Sequence, residues 1–384
     1  MIRLFVIGDI HIGKKYDRYP DIKSRLIQSR FDCLERCVQK AEQAHCDFFV
    51  ITGDLFDSAS TVSQRDIKKV VEILSGFGER VLVLPGNHDY YTGEETVWKG
   101  FLAACRECEN NIHLITQLQP LPFEIGEERI VFYPALCQSK HATENNLGWI
   151  RQERAEPDCY HVGLAHGALE GLSPDMKNEY FLMTERELNE LPMDLWLLGH
   201  THIPYPDGLP EGADTEGYRI FNPGTPEQTD LSNRTTGVCF VVTLEKQGGA
   251  VRVLSHRWQS GAVRFYDLAV HAGTQNTLEK TIKAALAQIA DQAHAVLRLT
   301  LSGTVTPEDY AGKSDVYKAL LAGFMTYEID DTALCEQITE EKIRAEFAEI
   351  GFAAQLLERL LDEPQELQMA YTLLKKCQEQ EAGR

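Results

Sequence analysis

Short apolar runs, each ending at a polar cluster, set the rhythm of the first 258 residues. LFVIG, DFFVIT, RVLVLP, HVGLA and LWLL are short and rich in β-branched or bulky residues, so they read as buried strands. Between the first two, residues 24–44 place Leu26, Phe31, Leu34 and Val38 at roughly helical spacing, and a second helix is expected over 64–74. With strands at 3–8, 47–52 and 81–84 this predicts a β-α-β-α-β opening of the kind found in layered α/β folds. Later strands, near 129–133, 161–165, 195–198, 218–222 and 237–244, have less helix between them, which predicts a second sheet packed on the first. Residues 204–217, rich in Pro, Gly and acidic side chains, predict a surface loop.

Beyond residue 258 the pattern changes. A strand at 263–270, an amphipathic helix marked by Leu278, Ile282, Leu286 and Ile289, a strand at 294–301, a helix at 316–324 and a short strand at 325–329 predict a small α/β module over 259–330. From 331 to 384 everything reads as helix, with apolar stripes through Leu334, Ile338, Ile343, Phe347 and Ile350, then Leu356, Leu357, Leu360 and Leu361, then Met369, Leu373 and Leu374. Such stripes demand burial against the body or a partner. The expected architecture is α/β: two packed β-sheets flanked by helices over 1–258, a small α/β module over 259–330 and a helical C-terminal tail over 331–384.

Composition narrows the class. The 384 residues suit two or three domains, and 43% hydrophobic with 25% charged side chains is ordinary for a globular protein. No apolar stretch reaches the length of a membrane span, so no membrane partner is expected. The N-terminus enters a strand directly, without a basic leader, and the ten cysteines are scattered, so a reduced, cytoplasmic protein is expected. The lone Cys105-x-x-Cys108 sits in a helix-like run and reads as structural. Ala311-Gly312-Lys313-Ser314 resembles the end of a phosphate loop, but Pro307 stands where that motif needs Gly. A net charge of -20 argues against wholesale wrapping of nucleic acid, though not against a local basic groove.

The chemistry lies just past the strands. Asp9-Ile10-His11, Gly53-Asp54-Leu55-Phe56-Asp57, Gly86-Asn87-His88-Asp89, His166-Gly167 and Gly199-His200-Thr201-His202 each follow one of the five apolar runs. Residues beyond the carboxyl ends of strands lie where α/β sheets bind ligands, so these clusters can converge on one crevice. Nitrogen and oxygen donors without thiolates suit manganese, iron, zinc or magnesium. Two such ions side by side can attack a phosphate ester. In an extended segment Asp9 and His11 point to the same side and can reach one ion. The two oxygens of Asp54 can bridge two ions, Asn87 offers a neutral oxygen that limits negative charge, and His200 and His202 can serve different ions. Taken singly, each motif is an ordinary strand end or turn; their joint occurrence in order carries the reading. Asp89 reads as a cap of the following segment as readily as a functional group.

The set DxH, GDxxD, GNHD, H and GHxH resembles the calcineurin-like metallophosphoesterases, whose fold is a four-layer sandwich. The resemblance implies one ion on Asp9, His11, Asp54 and His202 and another on Asp54, Asn87, His166 and His200, with manganese foremost and iron, zinc or magnesium as alternatives. It implies attack by a hydroxide bridging the ions, His88 assisting the leaving oxygen, and Asp57 as the carboxylate orienting His88. DIHIGK, GDLFDSA, LPGNHDYY, LGHTHIP, the NPGTPE turn at 222–227 and LRLTLSG at 297–303 are similar to DNA repair exonucleases of the SbcD and YhaO type. That likeness covers the first 258 residues well and the next 70 loosely. It implies a DNA nuclease whose small module caps the site and helps bind DNA, and whose C-terminal helices contact an SMC-like coiled-coil ATPase. Some relatives have His where this chain has Asp57, so a role of that His in handling DNA ends does not carry over. Lys14, Lys15, Arg18, Lys23 and Arg25, with Tyr16 and Tyr19 interleaved, add a basic loop suited to a phosphate backbone and stacked bases. A phosphodiesterase or phosphatase for a cyclic or lipid-linked nucleotide would need neither that loop nor the C-terminal module. A scaffold subunit for the ATPase is the other alternative, and assembly as a homodimer is left open.

Overall fold

The N-terminal apolar run forms β1 (Ile2–Ile7), and α1 (Lys23–Gln43), β2 (Phe48–Ile51), α2 (Gln64–Ser75), β3 (Arg80–Val83), α3 (Thr96–Glu107) and β4 (Ile112–Leu114) follow in strict alternation. This computed structural model describes residues 1–108, 111–153, 158–172, 179–210, 212–347 and 351–382. The four strands pair in parallel, β1 to β2, β2 to β3 and β3 to β4. Then come β5 (Leu121–Ile125), β6 (Glu128–Ala135), β7 (Cys159–His166), α4 (Glu185–Glu190), β8 (Leu195–Gly199), β9 (Asp214–Glu216), β10 (Ile220–Phe221), β11 (Val238–Gln247) and β12 (Ala250–Gln259). The second sheet has the order β10-β8-β7-β6-β5. The strand expected at 237–244 does not join it. As β11 it pairs antiparallel with β1, Ile2 opposite Leu244 and Val6 opposite Phe240, because β2 occupies only one edge of β1. The first sheet therefore reads β4-β3-β2-β1-β11-β12-β9.

The continuous apolar strands are explained by burial on both faces. Leu4, Val6, Phe48 and Val50 face the second sheet and meet Phe132, Val162, Leu164 and Leu197. The Phe48 ring lies 5.0 Å from that of Phe132 and 5.4 Å from that of Phe123. Their neighbours Phe5, Ile7, Phe49 and Ile51 turn the other way and pack with Phe31, Leu34, Val70 and Phe101 of the three helices. On the outer face of the second sheet Tyr133, Trp196 and Leu198 cluster with Leu188 of α4. Two sheets with helices outside each give the four expected layers. Local signals agree: Ser63 caps α2 by accepting from Asp66 N at 3.1 Å, a contact of about 1 kcal/mol.

The chain divides into two units, residues 1–265 and 266–384. The second is built on the sheet β13 (Arg264–Ala272), β14 (Ala295–Val305) and β15 (Thr326–Glu336). Helices α5 (Leu278–Leu286) and α6 (Pro307–Leu321) bury Leu278, Ile282, Leu286 and Leu321 against Leu297, Leu299 and Leu301. The strand expected to end at 329 runs on to Glu336, paired in parallel with β14 through a register shift beside Thr300 and Ser302. Leu334, expected on a helical stripe, is thus a strand residue in this core. Beyond it α7 (Glu340–Glu346), α8 (Phe352–Arg359) and α9 (Pro364–Ala382) gather Ile338, Ile343, Phe347, Leu357 and Leu367 into a cluster of their own. Ile350 lies outside the described residues. Phe352, Met369 and Leu373 remain exposed. Residues 311–314 lie inside α6, where Lys313 pairs with Asp331 at 2.9 Å. No helix among the described residues is long and apolar enough to cross a membrane.

Candidate metal centre

The carboxyl ends of β1, β2, β7 and β8, with the loop after β3, bring all seven expected donor residues together. The backbone there is unlike a strand. Asp9, His11, Asp54, His200 and His202 have φ of 55, 49, 51, 103 and 54°. Asp9 and His11 therefore do not share a side through extended geometry, as expected from their spacing. Each lies in the left-handed region, and Ile10 between them drops into the core. A left-handed non-glycine residue costs on the order of 1–3 kcal/mol and persists where its surroundings over-determine it. Here Asp9 N donates to Gly53 O at 3.0 Å, His11 N to Asp54 O at 3.0 Å and Ile12 N to Leu55 O at 2.9 Å, zipping the first two motifs together.

The donor atoms fall into two groups. In one, His11 Nε2 lies 2.9 Å from His202 Nε2, and Asp9 Oδ1 lies 3.5 Å from the same His202 nitrogen. In the other, Asn87 Oδ1 lies 3.0 Å from His166 Nε2 and 2.9 Å from His200 Nδ1. Asp54 Oδ2 stands between them, 3.7 Å from His11 Nε2 and 3.4 Å from His166 Nε2. Supporting bonds fix the rest: Asp54 Oδ1 accepts from His88 N at 2.8 Å, the Asp9 carboxylate from His200 N at 3.0 Å, and His166 Nδ1 lies 2.8 Å from Thr52 O. Two imidazole nitrogens aimed at each other, with donors separated by 2.9–3.7 Å, match ligands sharing an ion at bond lengths of about 2.0–2.2 Å. Asp9, His11 and His202, and separately Asp9, Asp54 and His166, have the composition and closeness to hold a metal ion. The residues present fit divalent cations.

Among the protein charges, burial works to raise the carboxyls of Asp9 and Asp54, yet the imidazoles beside them win. Asp9 is held below its usual range chiefly by His202, and Asp54 well below it chiefly by His166. Burial pulls the His166 imidazole down, but the Asp54 carboxylate lifts it to about 9. His200 is depressed to about 4 by burial first and by the charge of His166 second. Two buried anions thus set the electrostatics of the crevice.

Glycines of the motifs provide clearance, and Gly53 also takes a φ of 108° that disfavours a side chain. A Cβ on Gly86 would lie 2.2 Å from Asp54 Oδ1, and one on Gly53 2.0 Å from His166 Nδ1. Asp57 corrects an expectation. Its carboxylate does not orient His88: Oδ1 faces His11 Nδ1 at 3.3 Å, and the Asp57 main-chain oxygen is what lies 3.2 Å from His88 Nδ1. The cause is the bond from Asp57 N to Ile12 O at 2.9 Å, which sets the residue alongside the first motif. The tyrosines of the basic loop are a second correction. Tyr16 and Tyr19 are buried and offer no free stacking face; Tyr16 OH accepts from Arg30 Nη1 at 2.9 Å and Tyr19 packs 5.8 Å from Phe265. Lys14 reaches Asp230 at 4.0 Å and Lys23 pairs with Asp17 at 2.5 Å, while Lys15, Arg18 and Arg25 are exposed.

Asp89 is a tie between loops. Its Oδ2 accepts from Phe56 N at 2.9 Å and its Oδ1 from Gly86 N at 2.6 Å, joining the second motif to the third. Burial, then the Asp54 charge, push its carboxyl up to about 8. Arg30, buried on the apolar stripe of α1 between Leu26 and Leu34, was missed in the sequence, and a charge within an apolar stripe is the signal that marks it.

The chain belongs to the calcineurin-like phosphoesterase family, whose model matches residues 2–204. All seven donor residues described above lie within that matched segment. The chain is 30% identical over 204 residues, 51% of this chain and 47% of the relative, to the uncharacterized metallophosphoesterase YhaO of Bacillus subtilis (strain 168). The matched segment spans about half the length of that curated relative. Among solved structures it is similar to the calcineurin-like phosphoesterase YfkN from Bacillus subtilis, with 14% identity, 75% of this chain and 96% of that one covered, and a TM-score of 0.42. It is also similar to a dimetal phosphatase from Danio rerio, with 11% identity, coverage of 67% and 96%, and a TM-score of 0.36.

Asp89→Ala is expected to leave Phe56 N and Gly86 N without their acceptor, at roughly 1–3 kcal/mol for each buried donor. Chemical denaturation measures it, with Asp89→Asn, which keeps one acceptor oxygen, falling between the two. An unchanged midpoint for Asp89→Ala would remove this account of the loop tie.

Proposed function

We propose that this chain is a two-ion phosphodiesterase that cleaves DNA, with Asp54 as the ligand common to both ions. The observation that carries the two-ion reading is the place of Asp54 Oδ2, within 3.7 Å of a histidine nitrogen in each donor group. Asp9, His11 and His202 complete one ion's set, and Asn87, His166 and His200 the other's. When bound, divalent ions, manganese foremost, supply Lewis acidity toward the phosphoryl oxygens and lower the pKa of water. The neutral Asn87 amide keeps the set from becoming too negative for an anionic ester to enter. Proton donation to the leaving oxygen is assigned to His88, a reading supported by its half-buried ring 4.8 Å from that of His11. The main-chain oxygen of Asp57 orients it, and the Asp57 carboxylate steadies His11.

DNA as substrate is supported by the exposed Lys15, Arg18 and Arg25 beside the first motif and by the motif likeness to repair exonucleases. With the loop tyrosines buried, the loop's contribution is charge against phosphate and not stacking. The likeness also supports docking of an SMC-like ATPase, for which exposed Phe352, Met369 and Leu373 on the C-terminal helices are the candidate surface. Copurification of such an ATPase, lost with Leu373→Glu and Met369→Glu, tests that; a sharp homodimer mass in sedimentation, dispersed by the same changes, would assign the surface to a second copy instead.

His88→Gln is expected to lower turnover of bis-p-nitrophenyl phosphate by about a hundred- to ten-thousand-fold while keeping metal content near wild type. His200→Gln should lose metal. Metal analysis beside kinetics separates them, and metal loss in His88→Gln with activity per ion unchanged would refute the assigned role.

With manganese, a panel of single- and double-stranded DNA, bis-p-nitrophenyl phosphate and cyclic nucleotides tests the substrate. Charge reversal at Lys15 and Arg18 should raise KM for DNA, less so at high salt, and leave the small diester unaffected. Turnover of cyclic nucleotides without DNA cleavage would overturn the DNA reading.

A further inference from the structure

Arg30 is about as buried as any ligand of the centre, at 1% exposure, and makes no ion pair at contact distance among the described residues. Its guanidinium is instead saturated by oxygens of the main chain and of hydroxyls. Nε donates to Ile10 O; Nη2 reaches Asp9 O at 3.5 Å and Thr225 Oγ1 at 3.4 Å; Nη1 reaches Tyr16 OH at 2.9 Å and Glu227 O at 3.4 Å. Five donors in a rigid fork meet five acceptors.

Four of those acceptors lie on two segments around one donor group, and the fifth, Tyr16 OH, lies further along the loop after His11. Asp9 O and Ile10 O are the carbonyls of the two peptide planes between Asp9 and His11. The N–H groups of Asp9 and His11 bond to Gly53 and Asp54, so the guanidinium supplies the remaining half of the restraint on this left-handed stretch. Thr225 and Glu227 belong to the turn on which His202 rests. A Cβ at Gly224 would come within 3.0 Å of the His202 main chain, and Asn222 Nδ2 donates to Thr201 Oγ1 at 2.6 Å. The second donor group has supports of its own, Thr52 O on His166 and the Asp89 tie beneath Asn87, and meets the Arg30-held loop only where His200 N donates to the Asp9 carboxylate at 3.0 Å.

We propose that Arg30 is a positioning residue chiefly for one ion, locking the Asp9–His11 loop to the turn under His202, while the Asn87–His166–His200 set, joined to that loop by the bond from His200 N to the Asp9 carboxylate, keeps its own supports. This rests on the two-ion reading above. The test is calorimetric titration of manganese alone into the full chain. His202→Ala and His200→Ala serve as references for loss of either site. Arg30→Lys keeps the charge but not the fork, and is expected to weaken the His202-dependent ion by roughly ten- to a hundredfold and leave the other within about twofold. Thr225→Val removes one acceptor and should weaken the same ion by a few fold; it decides the matter if Arg30→Lys does not give a cooperative melt. Two ions in the wild type with equal weakening of both in the variants, or a lowered Tm with neither weakened, overturns the proposal alone. Fewer than two ions in the wild type overturns the two-ion reading and this inference with it.

Discussion

Asp9 and Asp54 are two carboxylates buried side by side at the end of a sheet, and this juxtaposition constrains everything around it. Each would raise the pKa of the other, and burial disfavours both charges, so the pair exists only where positive charge or polar donors converge on it. Imidazoles do most of that work, and the main-chain N–H groups of His88 and His200 add hydrogen bonds to the two carboxylates. The chain reaches such density by turning ligand residues into left-handed backbone and by placing Gly53 and Gly86 where any side chain would displace a donor. The crevice is thus a site of deliberate local strain held by a stable four-layer scaffold.

Much of this was legible in the sequence, for a physical reason. A strand buried on both faces is an unbroken apolar run, and its carboxyl end is where the run stops, so each motif could be placed without knowing the fold. Helix positions followed from apolar spacing. The sheet assignment of β11 was not legible, because pairing partners leave no mark on a single strand. Nor was the end of β15, where alternation through Asp330, Asp331 and Thr332 is too polar to read as a continuing strand.

In the site, residue identities were readable and orientations were not. Asp57 and His88 stand in the expected neighbourhood, but which atom of Asp57 faces which histidine depends on a main-chain bond to Ile12 made across 45 residues. The tyrosines beside the basic residues looked like stacking rings; spacing alone cannot tell an aromatic anchor from an exposed platform. Arg30 was visible only as an anomaly, a cation at a helical position that should have been apolar.

The zipper between the first two motifs has a consequence for folding fidelity. Asp9, His11 and Ile12 bond to Gly53, Asp54 and Leu55 in continuation of the β1–β2 ladder, so the ligand constellation is an extension of strand register. A slip of one residue would turn the strand's side chains to the opposite face and dissolve the donor groups. Any species that recognises the assembled donors then favours the correctly registered sheet by mass action, by about 2.7 kcal/mol at a free concentration a hundred times its Kd. Cation availability would act on this protein before any substrate arrives, as a selector among near-native arrangements of its own strands.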